Sequence, residues 1–420
     1  MAAFLGYRCS GCGTEFPPDP IRYTCPHDGS NLDVTLDLEA IRRRSAPDQI
    51  ERSQEGSMWR YLPLLPVGDP GLLGTPLRSA GGTPFFECPR LAKRHGLRRL
   101  WLKDDGRNPT ASFKDRASAL VVARAREIGA EKVVTASTGN AGAALAGMAA
   151  AAQMPAVIFA PRTAPPAKVA QLLVFGAQVF LVDGSYDDAF DLTVHASQAF
   201  GWYCRNTGYN PFTAEGKKTG AFEIAEQFHH ASSGSGNSTW EVPDAVFVSV
   251  GDGNILSGIH KGFRDLAALG WIERLPRLYG VQAEGSAAIA HAFASGEDTI
   301  RPVKADTLAD SISVDLPRDG LRALRAVRDS GGAFVTVPDE AILKAIAELG
   351  REAAVFAEPA GAAAYAGLAE AIQRGMVGEE DRIVILITGS GLKDVRAALR
   401  SVGEAPVIAP TLEALRKAMA

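Results

Sequence analysis

The chain has 420 residues, 46% of them hydrophobic and 22% charged, and its 44 basic and 48 acidic side chains leave a net charge of -4. A chain of this length buries one or two substantial cores, and the composition is that of a globular protein, not a fibrous or disordered one. Slight acidity speaks against nucleic acid as the main partner. Five cysteines, three of them within Cys9–Cys25, are too few and too uneven for a disulfide scaffold, which points to a cytoplasmic setting.

Met1-Ala2-Ala3-Phe4-Leu5 lacks a basic stretch followed by an apolar core, so no secretory signal is expected. Cys9-Ser10-Gly11-Cys12-Gly13 has the knuckle form in which two thiolates hold one zinc ion. A second half-site follows at Tyr23-Thr24-Cys25-Pro26-His27-Asp28-Gly29, where Asp28 takes the usual position of the fourth ligand and His27 adjoins it. Cys9, Cys12 and Cys25 with His27 or Asp28 would form a closed, structural zinc site. The alternative is a ribbon that folds without metal. Residues 1–37 are therefore expected to be a small zinc-ribbon-like segment. Residues 38–73, polar and then rich in proline, read as a connecting arm.

From Gly74 onward apolar runs alternate with helical patterns. The runs at Lys132–Ala136, Ala156–Ala160, Gln178–Val182, Ala245–Val250, Leu278–Gln282 and Ile383–Thr388 mostly lack polar alternation, as do strands buried on both faces. An α/β protein with two parallel-sheet domains follows: a large one from 74–130 and 211–420, and a smaller one, 131–210, inserted into it. Ala141–Ala160 is apolar enough for a membrane, but Gln153-Met154-Pro155 cuts it into a helix and a strand, so no membrane span is expected. His229–Trp240, rich in Ser and Gly, reads as a surface loop.

Between these elements lies Lys103-Asp104-Asp105-Gly106-Arg107-Asn108-Pro109-Thr110-Ala111-Ser112-Phe113-Lys114-Asp115-Arg116. Asn108-Pro109-Thr110 breaks the chain out of the apolar run Leu100–Leu102, and Ser112 or Thr110 is expected to cap a helix that stops at Gly129. Lys114 then sits in the first helical turn, where the dipole disfavours its ammonium form and favours the nucleophilic amine. The bland alternative is a solvated lysine paired with Asp104, Asp105 or Asp115.

Three glycine-bearing turns follow strands directly: Ser137-Thr138-Gly139-Asn140, Gly251-Asp252-Gly253-Asn254 and Thr388-Gly389-Ser390-Gly391. Such turns lie at the carboxyl edge of a parallel sheet and offer free backbone N–H groups to phosphate or carboxylate. Neither the dinucleotide nor the NTPase fingerprint is met, since Gly251-Asp252-Gly253 lacks a third glycine and Gly216-Lys217-Lys218-Thr219 is no phosphate loop. Two anion sites and a candidate amine nucleophile suit a phosphorylated aldehyde, pyridoxal 5'-phosphate, acting on an amino acid.

Asn108–Arg116, Ser137–Asn140, Gly251–Asn254, Glu358-Pro359-Ala360 and Thr388–Asp394 together resemble the corresponding motifs of threonine synthases, in the tryptophan-synthase-β-like group of pyridoxal-phosphate enzymes. The resemblance runs from about Tyr7 to about Asp394. It implies that Lys114 forms the Schiff base with the cofactor and moves the α- and γ-protons, with Phe113 beside it. Asn140 would meet the cofactor's phenolic oxygen, and Ser137 and Thr138 the substrate carboxylate. Gly251, Asp252, Gly253 and Asn254 would cradle the cofactor phosphate, and Thr388 would face the pyridine nitrogen. A hydroxyl there leaves the ring a weaker electron sink and favours elimination and replacement over transamination. The substrate would be a small, phosphorylated amino acid, O-phospho-L-homoserine, and the enzyme a homodimeric lyase.

One departure bears on that substrate. Thr213 stands where such enzymes often carry an arginine for the substrate phosphate, while Lys217 and Lys218 remain basic and Arg205 lies near in sequence. Lysine offers only a point charge where arginine offers a fork. A relative with another substrate therefore remains as the second reading: a dehydratase, an ammonia-lyase or a β-replacement enzyme of the cysteate-synthase kind. A non-catalytic cofactor-binding protein is the third.

Overall fold

Apolar runs without polar alternation become strands covered on both faces. The computed structural model describes residues 4–232 and 239–419. In chain order its strands are β1 (Phe4–Cys9), β2 (Glu15–Phe16), β3 (Leu32–Leu36), β4 (Phe85–Glu87), β5 (Leu100–Asp104), β6 (Val133–Ala136), β7 (Ala156–Pro161), β8 (Gln178–Val182), β9 (Tyr203–Cys204), β10 (Ala245–Ser249), β11 (Arg277–Ala283), β12 (Ala333–Val337) and β13 (Ile383–Ile387). The six runs expected to be strands appear as β6, β7, β8, β10, β11 and β13. Short β12 escaped notice, as did the full length of β5, whose last residues Lys103 and Asp104 are polar yet buried.

The main sheet has the order β12-β11-β10-β13-β5-β4 and is parallel except for β4 at its edge. A second, wholly parallel sheet has the order β8-β7-β6-β9, and the N-terminal ribbon is an antiparallel sheet, β2-β1-β3. The chain is thus an α/β protein with two parallel-containing sheets and a cysteine-bearing ribbon. Among the described residues no helix is long and apolar enough to cross a membrane.

Three expectations need correction. The segment 38–73 is no loose arm: it forms helices at Leu38–Arg44 and Pro47–Glu51 and a 3-10 turn at Met58–Leu64. The buried side chains Met58, Trp59, Tyr61 and Leu64 lie between its prolines and dock it on the body. The helix Thr219–Ser232 runs through His229, so the expected loop His229–Trp240 is shorter at its start; 233–238 lie outside the described residues, as do 1–3, and Trp240 is buried. The lysine helix spans Lys114–Glu127 and stops before Gly129 as expected, yet neither Ser112 nor Thr110 caps it. Instead the Asp115 carboxylate reaches back to accept from the Thr110 N–H at 2.6 Å and from its hydroxyl. The Phe113 N–H donates to the Thr388 carbonyl at 2.9 Å. The start of this helix is pinned by the turn after β13.

Beneath it lies a fully buried ionic cluster. The Arg116 guanidinium donates to Asp105 (2.6 and 3.0 Å) and to both oxygens of Glu223 (2.6 and 2.7 Å), and Lys103 reaches Glu223 at 2.7 Å. Burial alone would raise the Glu223 carboxyl; Arg116 and Lys103 more than reverse this and hold it well below the usual range. The cluster fastens β5, the lysine helix and the helix Thr219–Ser232 to one another. Removing one partner of such a group strands the others without compensation, which costs about 3–5 kcal/mol. Arg116→Met should therefore lower the unfolding free energy obtained from denaturant titration by about 3–5 kcal/mol, whereas a surface control such as Arg42→Met should leave it within about 0.5 kcal/mol.

Candidate active site

The turns that end β6, β10 and β13 meet at the carboxyl edges of the two sheets. Between them opens a narrow cleft lined by Lys114, Asn140, Thr207, Lys217, Asp252 and Thr388, among others. Lys114, at the first position of its helix, points into it. Lys114 makes no ion pair among the described residues, against the bland alternative: Asp115 is occupied with Thr110, and Asp105 with Arg116. Burial pushes its amine down to about 8; the Arg205 guanidinium adds to the effect, and Asp252 and Glu358 oppose it.

The helix Asn254–Leu269 begins at this cleft with Gly253 at its N-terminus (φ +91°) and no side chain capping it. A Cβ on Gly253 would come within 2.7 Å of the Asp319 carbonyl oxygen, so the turn needs glycine both for its left-handed backbone and for space. The Asn254 amide donates to Asp319 at 2.6 Å and its oxygen accepts from Lys217 and, at 3.2 Å, from Thr213. Lys217 is brought here because Gly216 lets its short helix, Phe212–Lys217, press against the lysine helix; a Cβ at 216 would lie 2.3 Å from the Arg116 carbonyl oxygen. Burial, with Lys114 and Arg205 beside it, pushes the Lys217 amine well below its ordinary range.

On the opposite wall the Asn140 amide donates to Glu358 at 2.7 Å and lies 3.4 Å from the Ser311 hydroxyl. Burial raises the Glu358 carboxyl to about 7, against the Asn140 hydrogen bond and the charges of Lys393 and Lys114. Glu358 caps the position before the helix Pro359–Gln373, with Pro359 at its first turn. Thr138, with Lys168 and Lys393, lines the adjoining mouth of the cleft. Ser137 stands at the end of β6, its N–H donating to the Phe159 carbonyl at 3.2 Å.

Lys114, partly buried, and Lys217, fully buried, line the cleft beside two carboxyls, Asp252 and Glu358, whose ionised forms burial disfavours, and the fully buried Arg205 adds a third cation close by. Such a surplus of positive charge beside an uncapped helix N-terminus fits a phosphate-bearing ligand. Two expected site residues lie elsewhere. The Phe113 ring is fully buried in the core, over Arg116 and against Gly220, since the turn that presents Lys114 must anchor itself inward. Lys218 is one residue past Lys217 on the helical path and faces away, paired with Glu215 (2.6 Å) and Asp265 (2.8 Å). Thr207, in a turn, and Ser311, in the 3-10 turn Asp310–Ile312, carry no sequence signal for their place in the cleft.

The ribbon presents its own constellation. One donor atom each from Cys9, Cys12, Cys25 and Asp28 lie within 4.8 Å of one another. The Cys9 sulfur accepts from the N–H groups of Gly11 and Cys12 at 3.3 Å, as in a metal knuckle. His27 is not in this group; its ring packs edge-on against Phe16. Three sulfurs and one oxygen suit tetrahedral zinc.

These features define a class. The family model described as pyridoxal-phosphate dependent enzyme matches residues 77–389, and the cofactor is pyridoxal phosphate. The chain is 38% identical to the threonine synthase of Methanocaldococcus jannaschii, covering 94% of this chain and 95% of that one, and 37% identical to the threonine synthase of Methanosarcina acetivorans, covering 98% of each. It belongs to the threonine synthase family of pyridoxal-phosphate-dependent enzymes. Its fold is also that of a tomato threonine deaminase (Solanum lycopersicum; TM-score 0.64, 22% identity, 83% of this chain and 94% of that one) and of maize serine racemase (TM-score 0.62, 23% identity, 80% and 91%).

An amine must be neutral to attack an aldehyde, and one held near 8 becomes neutral as pH rises through 8. The rate at which apo-protein captures pyridoxal phosphate, followed by absorbance, should rise with pH and level off above about 8. Continued increase toward the ordinary lysine value would mean that Lys114 is solvated. Lys114→Ala should abolish the absorbance of the bound Schiff base.

Proposed function

We propose that the protein is a threonine synthase, a carbon–oxygen lyase that converts O-phospho-L-homoserine and water to L-threonine and phosphate. The observation that carries this reading is Lys114: an unpaired, depressed amine inside a cleft with a surplus of positive charge. The names of the relatives support it. Bound in the cleft, the cofactor supplies an electron sink for charge developing on the substrate's carbons. The protein's own groups bind, orient and move protons. Lys114 is the amine placed to take and return protons. The Thr138 hydroxyl and the N–H groups of Thr138–Asn140 would receive the substrate carboxylate. Asn140 and Gly251–Asn254 hold the cofactor at its phenolic oxygen and phosphate, and neutral Thr388 keeps the ring from becoming the stronger sink that transamination uses. The competing reading, a lyase or β-replacement enzyme with another substrate, is favoured by Thr213, whose hydroxyl is spent on the Asn210 carbonyl (2.7 Å) and Asn254.

The ribbon of this reading carries one zinc ion held by Cys9, Cys12, Cys25 and Asp28, in a structural role. The enzyme works in the cytoplasm, as five free cysteines suggest, on small molecules and not on nucleic acid. It pairs with a second copy; the exposed apolar side chains Leu399, Val402, Leu412 and Leu415 near the C-terminus are consistent with a covered face.

Purified holoenzyme given O-phospho-L-homoserine should release phosphate and threonine in equal amounts. Phosphate with a 2-oxo acid would mean elimination without water capture, and no phosphate would sink the threonine synthase reading. Lys114→Ala should lower turnover by roughly 10³-fold or more. Metal analysis should find about one zinc per chain, lost in Cys25→Ser; intact zinc in that variant would remove Cys25 from the site.

A further inference from the structure

Arg205 is fully buried, and among the described residues it has no carboxylate partner. Its Nε donates to the Ser118 hydroxyl at 3.2 Å and its Nη1 to the Thr207 hydroxyl at 2.5 Å, while Nη2 is buried with nothing to bond. A buried arginine ordinarily sits against a carboxylate, as Arg116 does here, because taking the charge out of water is costly without one. Arg205 is spared that partner at a telling place. Ser118 lies one helical turn beyond Lys114 on the same face of the lysine helix, and Thr207 lines the cleft with Lys114 and Lys217. The guanidinium is therefore held between the reactive lysine's helix and the cleft wall, close enough that its charge depresses both lysines.

Position 213, meanwhile, supplies nothing for an anion. Thr213 is buried and bonded to Asn210 and Asn254, at the foot of the cofactor-phosphate turn. We propose that Arg205, seated by Ser118 and Thr207, receives the phosphoryl group of the amino-acid substrate, with Lys217 as the second cation, and so does the work that an arginine at 213 would otherwise do. The free Nη2 group supplies a charge-assisted hydrogen bond to a phosphoryl oxygen, and Nη1 can turn from the Thr207 hydroxyl to complete a bidentate fork. The inference rests on the reading of the substrate as a phosphorylated amino acid, though not on threonine being the product. Arg205 is a specificity-determining residue; the proton transfers stay with Lys114.

The test uses the cofactor-loaded enzyme and two ligands, L-homoserine and O-phospho-L-homoserine, with dissociation constants read from the absorbance change of the bound cofactor under conditions of no net turnover. The wild type should prefer the phosphorylated ligand by on the order of 100-fold. Arg205→Met should erase most of that preference while leaving the L-homoserine constant and the affinity for pyridoxal phosphate within about twofold. Arg205→Lys, which keeps the charge and loses the fork, should fall between. An equal weakening of both ligands, or a loss of cofactor affinity, would assign Arg205 a structural role only and overturn the proposal, as would a phosphate preference that survives in Arg205→Met or is missing from the wild type. A wild type that prefers the phosphorylated ligand but makes no threonine from it refutes the proposed reaction and leaves the assignment of Arg205 standing.

Discussion

The ionic cluster of Arg116, Asp105, Glu223 and Lys103 is the constraint on which the site depends. Its members are fully buried; three come from the stretch Lys103–Arg116 and the fourth, Glu223, from far along the chain, so the main sheet's β5, the lysine helix and the helix Thr219–Ser232 are tied together at one point. Two of its cations sit within the same fourteen-residue stretch as Lys114 without touching it. Asp105 is thereby consumed, Asp115 is taken up by Thr110, and the amine is left unpaired in a cleft that depresses it. An unfettered lysine is a by-product of how thoroughly its neighbours are satisfied.

Much of this was legible in the sequence because the information is local. Apolar runs followed at once by glycine turns placed three ligand-binding loops at sheet edges, and the loops meet. What stayed hidden depends on pairings across the chain. Lys217 and Lys218 are indistinguishable as letters, yet a helical step of about 100° sends one to the cleft and the other to Glu215 and Asp265. Asp28 and His27 are likewise neighbours, and only the curl of the knuckle turns the carboxylate toward the sulfurs and the imidazole toward Phe16. Phe113 looks like part of the site because it adjoins Lys114; the turn needs an inward anchor, and the ring is it. Arg205 carries no local signal, since its meaning lies in the carboxylate it lacks.

The ribbon is tied into the cofactor end of the molecule. Arg322 bonds Asp33 of β3 at 2.7 Å and Asp319 at 2.8 Å, and Asp319 in turn holds Asn254 and Ser257 at 2.6 Å each. A continuous line of charged and polar contacts thus runs from the small antiparallel sheet to the first turn of the helix Asn254–Leu269. The ribbon braces the turn Gly251–Asn254, and its position constrains the geometry of Lys217 through Asn254.

The order of strands in the main sheet has a bearing on how the protein is made. β13, the last strand in the sequence, lies in the middle, between β10 and β5. During synthesis β4 and β5 emerge first and β10, β11 and β12 later, but these two parts share no edge until β13 arrives to join them. Between the emergence of β11 and that of β13, then, the growing chain carries two incomplete parts of the sheet, each with an open apolar edge of the kind that invites pairing with other chains. The turn after β13 also pins the start of the lysine helix, so the nascent chain has no binding-competent lysine until almost the whole protein has left the ribosome. A truncation that removes β13 falls on the centre of the main sheet.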